Sequence, residues 1–145
     1  MTLTEPIKIK KVSINAVTPI RHSEGAAGYD VSSLEGGIIP PKQLLKVRTG
    51  LIFSIPQNCL GVIFGRSGLA LKHGLEIIDT KIFPNSKEEL VITIFNNFNT
   101  EFKFDAGTRI AQLVIIKVSN PKIEIVDSLD DSKRGESGFG STGLN

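Results

Sequence analysis

Arg66 and Arg134 each stand inside a glycine-rich run, and a guanidinium beside unblocked backbone amides is a donor set suited to phosphate. The first run, Gly65-Arg66-Ser67-Gly68-Leu69-Ala70, offers charge, a hydroxyl and exposed amides at the start of a short helical turn, which favours an anion. A Ser-Gly turn capping a helix reads equally well. The second, Arg134-Gly135-Glu136-Ser137-Gly138-Phe139-Gly140-Ser141-Thr142-Gly143, adds a lone ring and a Ser-Thr pair. A donor fork, a stacking surface and open backbone suit a phosphorylated aromatic ligand; a flexible glycine-rich terminus is the plainer reading. Two further runs carry polar groups on apolar backgrounds: Ala26-Ala27-Gly28-Tyr29-Asp30-Val31 and Ala106-Gly107-Thr108-Arg109-Ile110-Ala111-Gln112-Leu113. Taken singly, Asp30 reads as a turn residue and Gln112 as a hydrogen bonder at a strand edge.

Metal and thiol chemistry find less material. His22 and His73 are isolated from Cys and from clustered carboxylates, so no zinc site is expected. Cys59 is the single cysteine; it cannot form an internal disulfide, and a packing role is expected of it. The segment Met1 to Lys11 lacks the apolar stretch of a secretion signal, so a reducing cytoplasmic compartment is expected, with the nucleus reached by diffusion.

The elements that position these groups should be strands. The chain has 28 Ile and Val against 20 Leu, Ala and Met, a bias toward pleated sheet. Strands are expected at Lys8 to Ile14, Gly37 to Ile39, Leu44 to Val47, Leu51 to Ile55, Leu60 to Phe64, Leu75 to Ile78, Leu90 to Asn96, Phe102 to Phe104, Ile110 to Val118 and Ile123 to Val126. Their shortness and the turn residues between them suit an all-β sandwich, jelly roll or barrel. Only Ser67 to Lys72 offers a helical turn. At 145 residues the chain reads as one domain over 1–145 with one core, of which 127–145 is a polar, glycine-rich arm unable to fold alone.

Composition also excludes partners. Seventeen basic against fifteen acidic residues give a net charge of +2, too even for the basic surface that nucleic acid requires. Eight Phe, one Tyr and no Trp leave little for base-stacking platforms. No apolar run approaches the ~18 residues of a membrane helix, so neither nucleic acid nor membrane is expected as a partner.

Together and in order, the four runs are specific: the chain resembles the trimeric dUTP nucleotidohydrolase (dUTPase) family, which is defined by five ordered motifs. AAGYDVSS is similar to the first motif, GRSGLA to the second, AGTRIAQLVI to the fourth and RGESGFGSTG to the fifth, and the resemblance runs from about Ile9 to Gly143. Gly65 replaces the family's usual proline, Thr108 its aspartate and Ser137 one of its glycines. The resemblance implies a jelly-roll-like fold, a homotrimer with sites at subunit interfaces, and dUTP with Mg²⁺ as ligand and cofactor. It also implies roles. Asp30 would orient water around the triphosphate-bound magnesium, and Arg66, Ser67, Gly68 and Gln112 would hold phosphate oxygens. Arg134, Ser141 and Thr142 would grip the terminal phosphate from another subunit's tail, Phe139 would stack on uracil, and Gly140 and Ile82 would complete the substrate contacts.

The third motif departs. The family carries Gly-Val-Ile-Asp, any residue, Asp-Tyr, any residue and Gly; its Asp activates the attacking water and its Tyr packs on the deoxyribose. Ungapped spacing places Thr80-Lys81-Ile82-Phe83-Pro84-Asn85-Ser86-Lys87-Glu88 on this motif, with Phe83 at the aspartate, Ser86 at the tyrosine and Glu88 at the glycine. The only tyrosine, Tyr29, belongs to the first motif, so no complete third motif exists. An alternative register keeps Asp79 as the catalytic residue, at the cost of shortening one hairpin and lengthening the next; Glu88 and Glu89 are further carboxylates nearby. The expectation is a dUTP-binding member with weak or absent catalysis, a pseudoenzyme. The alternatives are an active diphosphatase using Asp79 or Glu88, and a non-catalytic interaction protein, alone or in mixed trimers with an intact paralogue.

Overall fold

Alternation of inward and outward side chains, the signature of a half-buried strand, marks the central strands of the chain. The computed structural model describes residues 5–78 and 80–130. In chain order its elements are β1 (Lys8–Lys11), β2 (Ile20–Arg21), β3 (Tyr29–Ser32), β4 (Gly37–Ile39), β5 (Leu44–Ser54), β6 (Cys59–Phe64), α1 (Ser67–His73), β7 (Leu75–Ile77), β8 (Thr80–Ile82), β9 (Glu89–Asn96), β10 (Phe102–Phe104) and β11 (Arg109–Lys117). The strands form antiparallel sheets in the orders β1-β5-β9-β7, β10-β4 and β2-β3-β11-β6-β8. This is a jelly-roll-like all-β fold.

β9 shows how the sequence builds the core. Leu90, Ile92, Ile94 and Asn96 point inward at every second residue, and Ile92 and Ile94 meet Phe53 and Leu51 of β5 and Leu113 of β11 in one apolar cluster. Asn96 is the polar member of that row. Its amide donates to the Ile39 and Thr100 carbonyls at 2.9 and 2.8 Å, and its oxygen accepts from the Phe98 amide at 3.0 Å. Complete pairing lets a polar side chain sit buried at the strand end. Cys59 is buried at the start of β6.

Several expectations need correction. Leu44 to Val47 and Leu51 to Ile55 are not two strands but one, β5, with a shift of register between Arg48 and Ile52. Ile123 to Val126 forms no strand: Ile123 and Ile125 are 95% and 96% exposed and find no strand to pair with. Three short strands, β2, β3 and β8, were not expected: β2 is only two residues long, and polar residues interrupt the apolar pattern in β3 and β8. Among the described residues no helix is long and apolar enough to cross a membrane.

Candidate functional site

Asp30 on β3 faces Gln112 on β11, and Gln112 faces Phe64 at the end of β6. Three runs distant in sequence are thus brought into one row across adjacent strands. Two residues past Phe64, Arg66 leads into α1 in an extended conformation; its Nη1 donates to the Arg109 carbonyl at 3.1 Å. Arg66 holds the N-cap position without a side-chain cap bond and Ser67 is the first residue of α1, so the serine is not the capping residue of this run.

A bulge on β11 completes the cluster. In an unbroken strand residues 109 and 112 face opposite sides, yet Arg109 pairs with Ser32, Ala111 with Val31 and Gln112 with Asp30. Ile110 is the extra residue, and such an insertion reverses the alternation. Arg109 and Gln112 therefore share the face of Asp30: Arg109 Nη1 lies 3.4 Å from Asp30 Oδ2, and Gln112 Nε2 lies 3.5 Å from Asp30 Oδ1. Asp30 is buried and Arg109 half-exposed. No role was assigned to Arg109 from sequence, although the adjacent apolar pair Ile110-Ala111, which breaks the alternation, was a readable sign of the bulge.

Beside this cluster lies an open pocket of about 330 Å³, lined by Arg66, Ser67, Gly68, Leu69, Lys72, His73 and Gln112. It unites four of the expected phosphate-binding residues. Lys72 and His73 were not expected there; His73 packs its ring on Phe102 at 4.8 Å between centroids and also lines the pocket.

Ile82 and the stretch after it lie elsewhere in the protomer. Ile82 is buried on β8, opposite Gly61, and lines a separate hollow of about 270 Å³ with Ser86, Glu88 and Glu89. Phe83 follows, 60% exposed, and opens a turn closed by the Ser86 amide donating to the Phe83 carbonyl at 3.0 Å. Glu89 is committed: it accepts from both Arg48 Nε and Nη2 at 3.0 Å and from the Gly50 amide at 3.0 Å. Asp79, Arg134, Phe139, Gly140, Ser141 and Thr142 lie outside the described residues.

Among the described residues no three His, Cys, Asp or Glu side chains come together to hold a metal ion. Asp30 is the one carboxylate of the cluster, which suits a water-mediated contact to an ion carried in by a ligand and not a protein-built cage.

The sequence pattern of the dUTPase family matches residues 15–143. The chain belongs to the dUTPase family. Among curated dUTPases, that of Encephalitozoon cuniculi is 48% identical over 144 residues, covering 99% of each chain. That of Antonospora locustae is 39% identical over 142 residues, covering 98% of this chain and 99% of its own. Among solved dUTPase structures, that of Staphylococcus bacteriophage 80alpha with the nucleotide analogue dUPNHPP superposes with a TM-score of 0.85 at 30% identity, covering 97% of this chain and 100% of that one. A variant of the dUTPase from phage phi11 of S. aureus, described with a structural Mg(II) ion, gives 0.79 at 25% identity over 86% of this chain and 98% of that one. Both the first and fourth motifs of the dUTPase family meet at Asp30, through Arg109 and Gln112.

Proposed function

We propose that this dUTPase-family chain binds dUTP as its magnesium complex, at sites completed by neighbours in a homotrimer, and that its own conversion of dUTP to dUMP and diphosphate is weak or absent. The observation that carries the first half is the linkage of Asp30 to Arg109 and Gln112, and of Arg66 to the Arg109 carbonyl, beside a pocket that Arg66, Ser67, Gly68 and Gln112 line and no acidic residue enters. Arg66, Ser67, Gly68 and Gln112 take phosphate oxygens; Arg134, Gly140, Ser141 and Thr142 close over them from a neighbour's tail; Phe139 covers the uracil. Magnesium arrives with the triphosphate and neutralises part of its charge, and Asp30 holds one of its waters. The homotrimer is supported by Ile123, Ile125 and Leu129, apolar side chains left open to solvent in a single protomer.

The second half rests on Phe83 and Ser86. Phenylalanine accepts no proton, so the general-base contribution of ~10²–10⁴ disappears, about 3–5 kcal/mol of barrier. Diphosphate release from dUTP and magnesium is expected well below ~1 s⁻¹; turnover at ordinary enzyme rates of ~1–10³ s⁻¹ would refute weak catalysis. Phe83→Asp combined with Ser86→Tyr should raise the rate tenfold or more, and no gain argues against the ungapped register.

A second reading keeps an active enzyme with Glu88 as base, because Glu88 shares the hollow of Ile82 and Ser86. Alanine at Glu88 then abolishes turnover, as alanine at Asp79 does if the alternative register holds. Absence of dUTP binding by calorimetry would favour an interaction protein on this scaffold instead.

A further inference from the structure

Lys72 has no assigned role, yet its position in the pocket gives it one. α1 places Gly68 and Lys72 four residues apart, hence on one face of the helix. Long helical side chains tend to lean toward the N-terminus over the preceding turn, the direction in which Gly68 lies from Lys72. At Gly68 there is room: an added Cβ would meet nothing within 4 Å. Both residues line the pocket.

The pocket lacks a counter-charge. None of its lining residues is acidic, and the nearby Asp30 is shared between Arg109 and Gln112. Lys72 makes no ion pair with any other described residue, so its ammonium is uncommitted. Arg66, by contrast, already spends one donor on the Arg109 carbonyl.

The end of α1 is also held in place. Gly74 terminates it in the left-handed region, with its amide directed to the Ala70 and Leu69 carbonyls. His73 packs on Phe102, whose ring lies 6.1 Å from that of Phe104. A cation on this anchored turn is positioned before a ligand arrives, which lowers the entropy cost of binding.

We propose that Lys72 is a phosphate-binding residue of this pocket, a second cation that with Arg66 straddles a polyphosphate chain. The assignment rests on reading the pocket as the phosphate site of the nucleotide. Its test is calorimetric titration of the full chain with inorganic tripolyphosphate and, separately, with dUTP, each with magnesium. Lys72→Met should weaken tripolyphosphate binding about fivefold to tenfold, the loss of one charge-assisted contact, and should flatten the dependence of affinity on ionic strength. Lys72→Arg should restore most of the affinity, and Lys103→Met on β10 should change nothing. Equal tripolyphosphate affinity in wild type and Lys72→Met, or no tripolyphosphate binding by the wild type, overturns the proposal. Lys72-dependent tripolyphosphate binding without any gain for dUTP would support the phosphate role and defeat the deoxyuridine reading.

Discussion

Gly74 ends α1 with φ 65° and ψ 29°, and an added Cβ would collide with the Phe98 ring. Two costs therefore fall on one substitution. Left-handed backbone costs an alanine about 1–2 kcal/mol, and forcing a methyl into packed ring atoms costs about 1–3 kcal/mol. Gly74→Ala should lower unfolding free energy by roughly 2–5 kcal/mol in urea titration. Adding Phe98→Ala removes the collision and leaves the backbone strain, so Gly74→Ala should be better tolerated in that background than in the wild type. Phe83 is the contrasting residue: 60% exposed and outside the buried core, it costs the fold little.

Among the elements, β5 teaches most about what a sequence discloses. Arg48-Thr49-Gly50 reads as a turn, since glycine with a polar neighbour usually marks one, and the strand was divided there. The chain instead continues through a bulge in which Gly50 adopts φ 72°. Thr49 donates to the Leu90 carbonyl at 2.6 Å and Glu89 accepts from the Gly50 amide, so partners 41 and 39 residues downstream decide between turn and bulge. Strands carrying their own alternation, such as β9 and β10, were legible within a residue. The candidate site follows the same rule: the runs of Asp30, Arg66 and Gln112 stand out in the sequence, whereas the approach of Arg109 to Asp30 depends on the β11 bulge. Glu89 gives the bulge a pH dependence. Its hydrogen bonds from Arg48 hold its carboxyl below the ordinary glutamate range against the opposing effect of partial burial. Its contribution is complete above the unfolded value and drains away as pH falls through the lowered folded value. Glu89→Gln should cost about 1 kcal/mol at neutral pH, and the gap between wild type and variant in urea midpoint should close as the solution is acidified through that window. A gap independent of pH would remove Glu89 from the acid sensitivity of the fold.

At the scale of the whole molecule, the net charge of +2 hides an uneven distribution. β1 places Lys8, Lys10 and Lys11 along the unpaired edge of its sheet, while the segment after β11 carries Glu124, Asp127 and Asp130 alongside exposed Ile123, Ile125 and Leu129. Isoleucines two residues apart share one face of an extended chain, and a face of that kind fully in water is unfavourable for an isolated protomer. Covering both side chains contributes roughly 3–6 kcal/mol per arm, and complementary charge adds orientation more than affinity. In the proposed homotrimer a neighbour supplies the cover. Ile123→Glu with Ile125→Glu alters no core position, so each protomer should keep its fold by circular dichroism while the sedimentation coefficient falls from that of a trimer to that of a monomer at micromolar concentration. Nucleotide binding tests the same coupling. If the fifth motif closes sites on neighbouring copies, dissociation separates Arg134 and Phe139 from the pocket of Arg66, and dUTP affinity should fall with the sedimentation coefficient while Arg66 and Gln112 remain unchanged. A monomeric wild type, or a dissociated variant that binds dUTP as tightly as the trimer, would mean that each chain completes its own site.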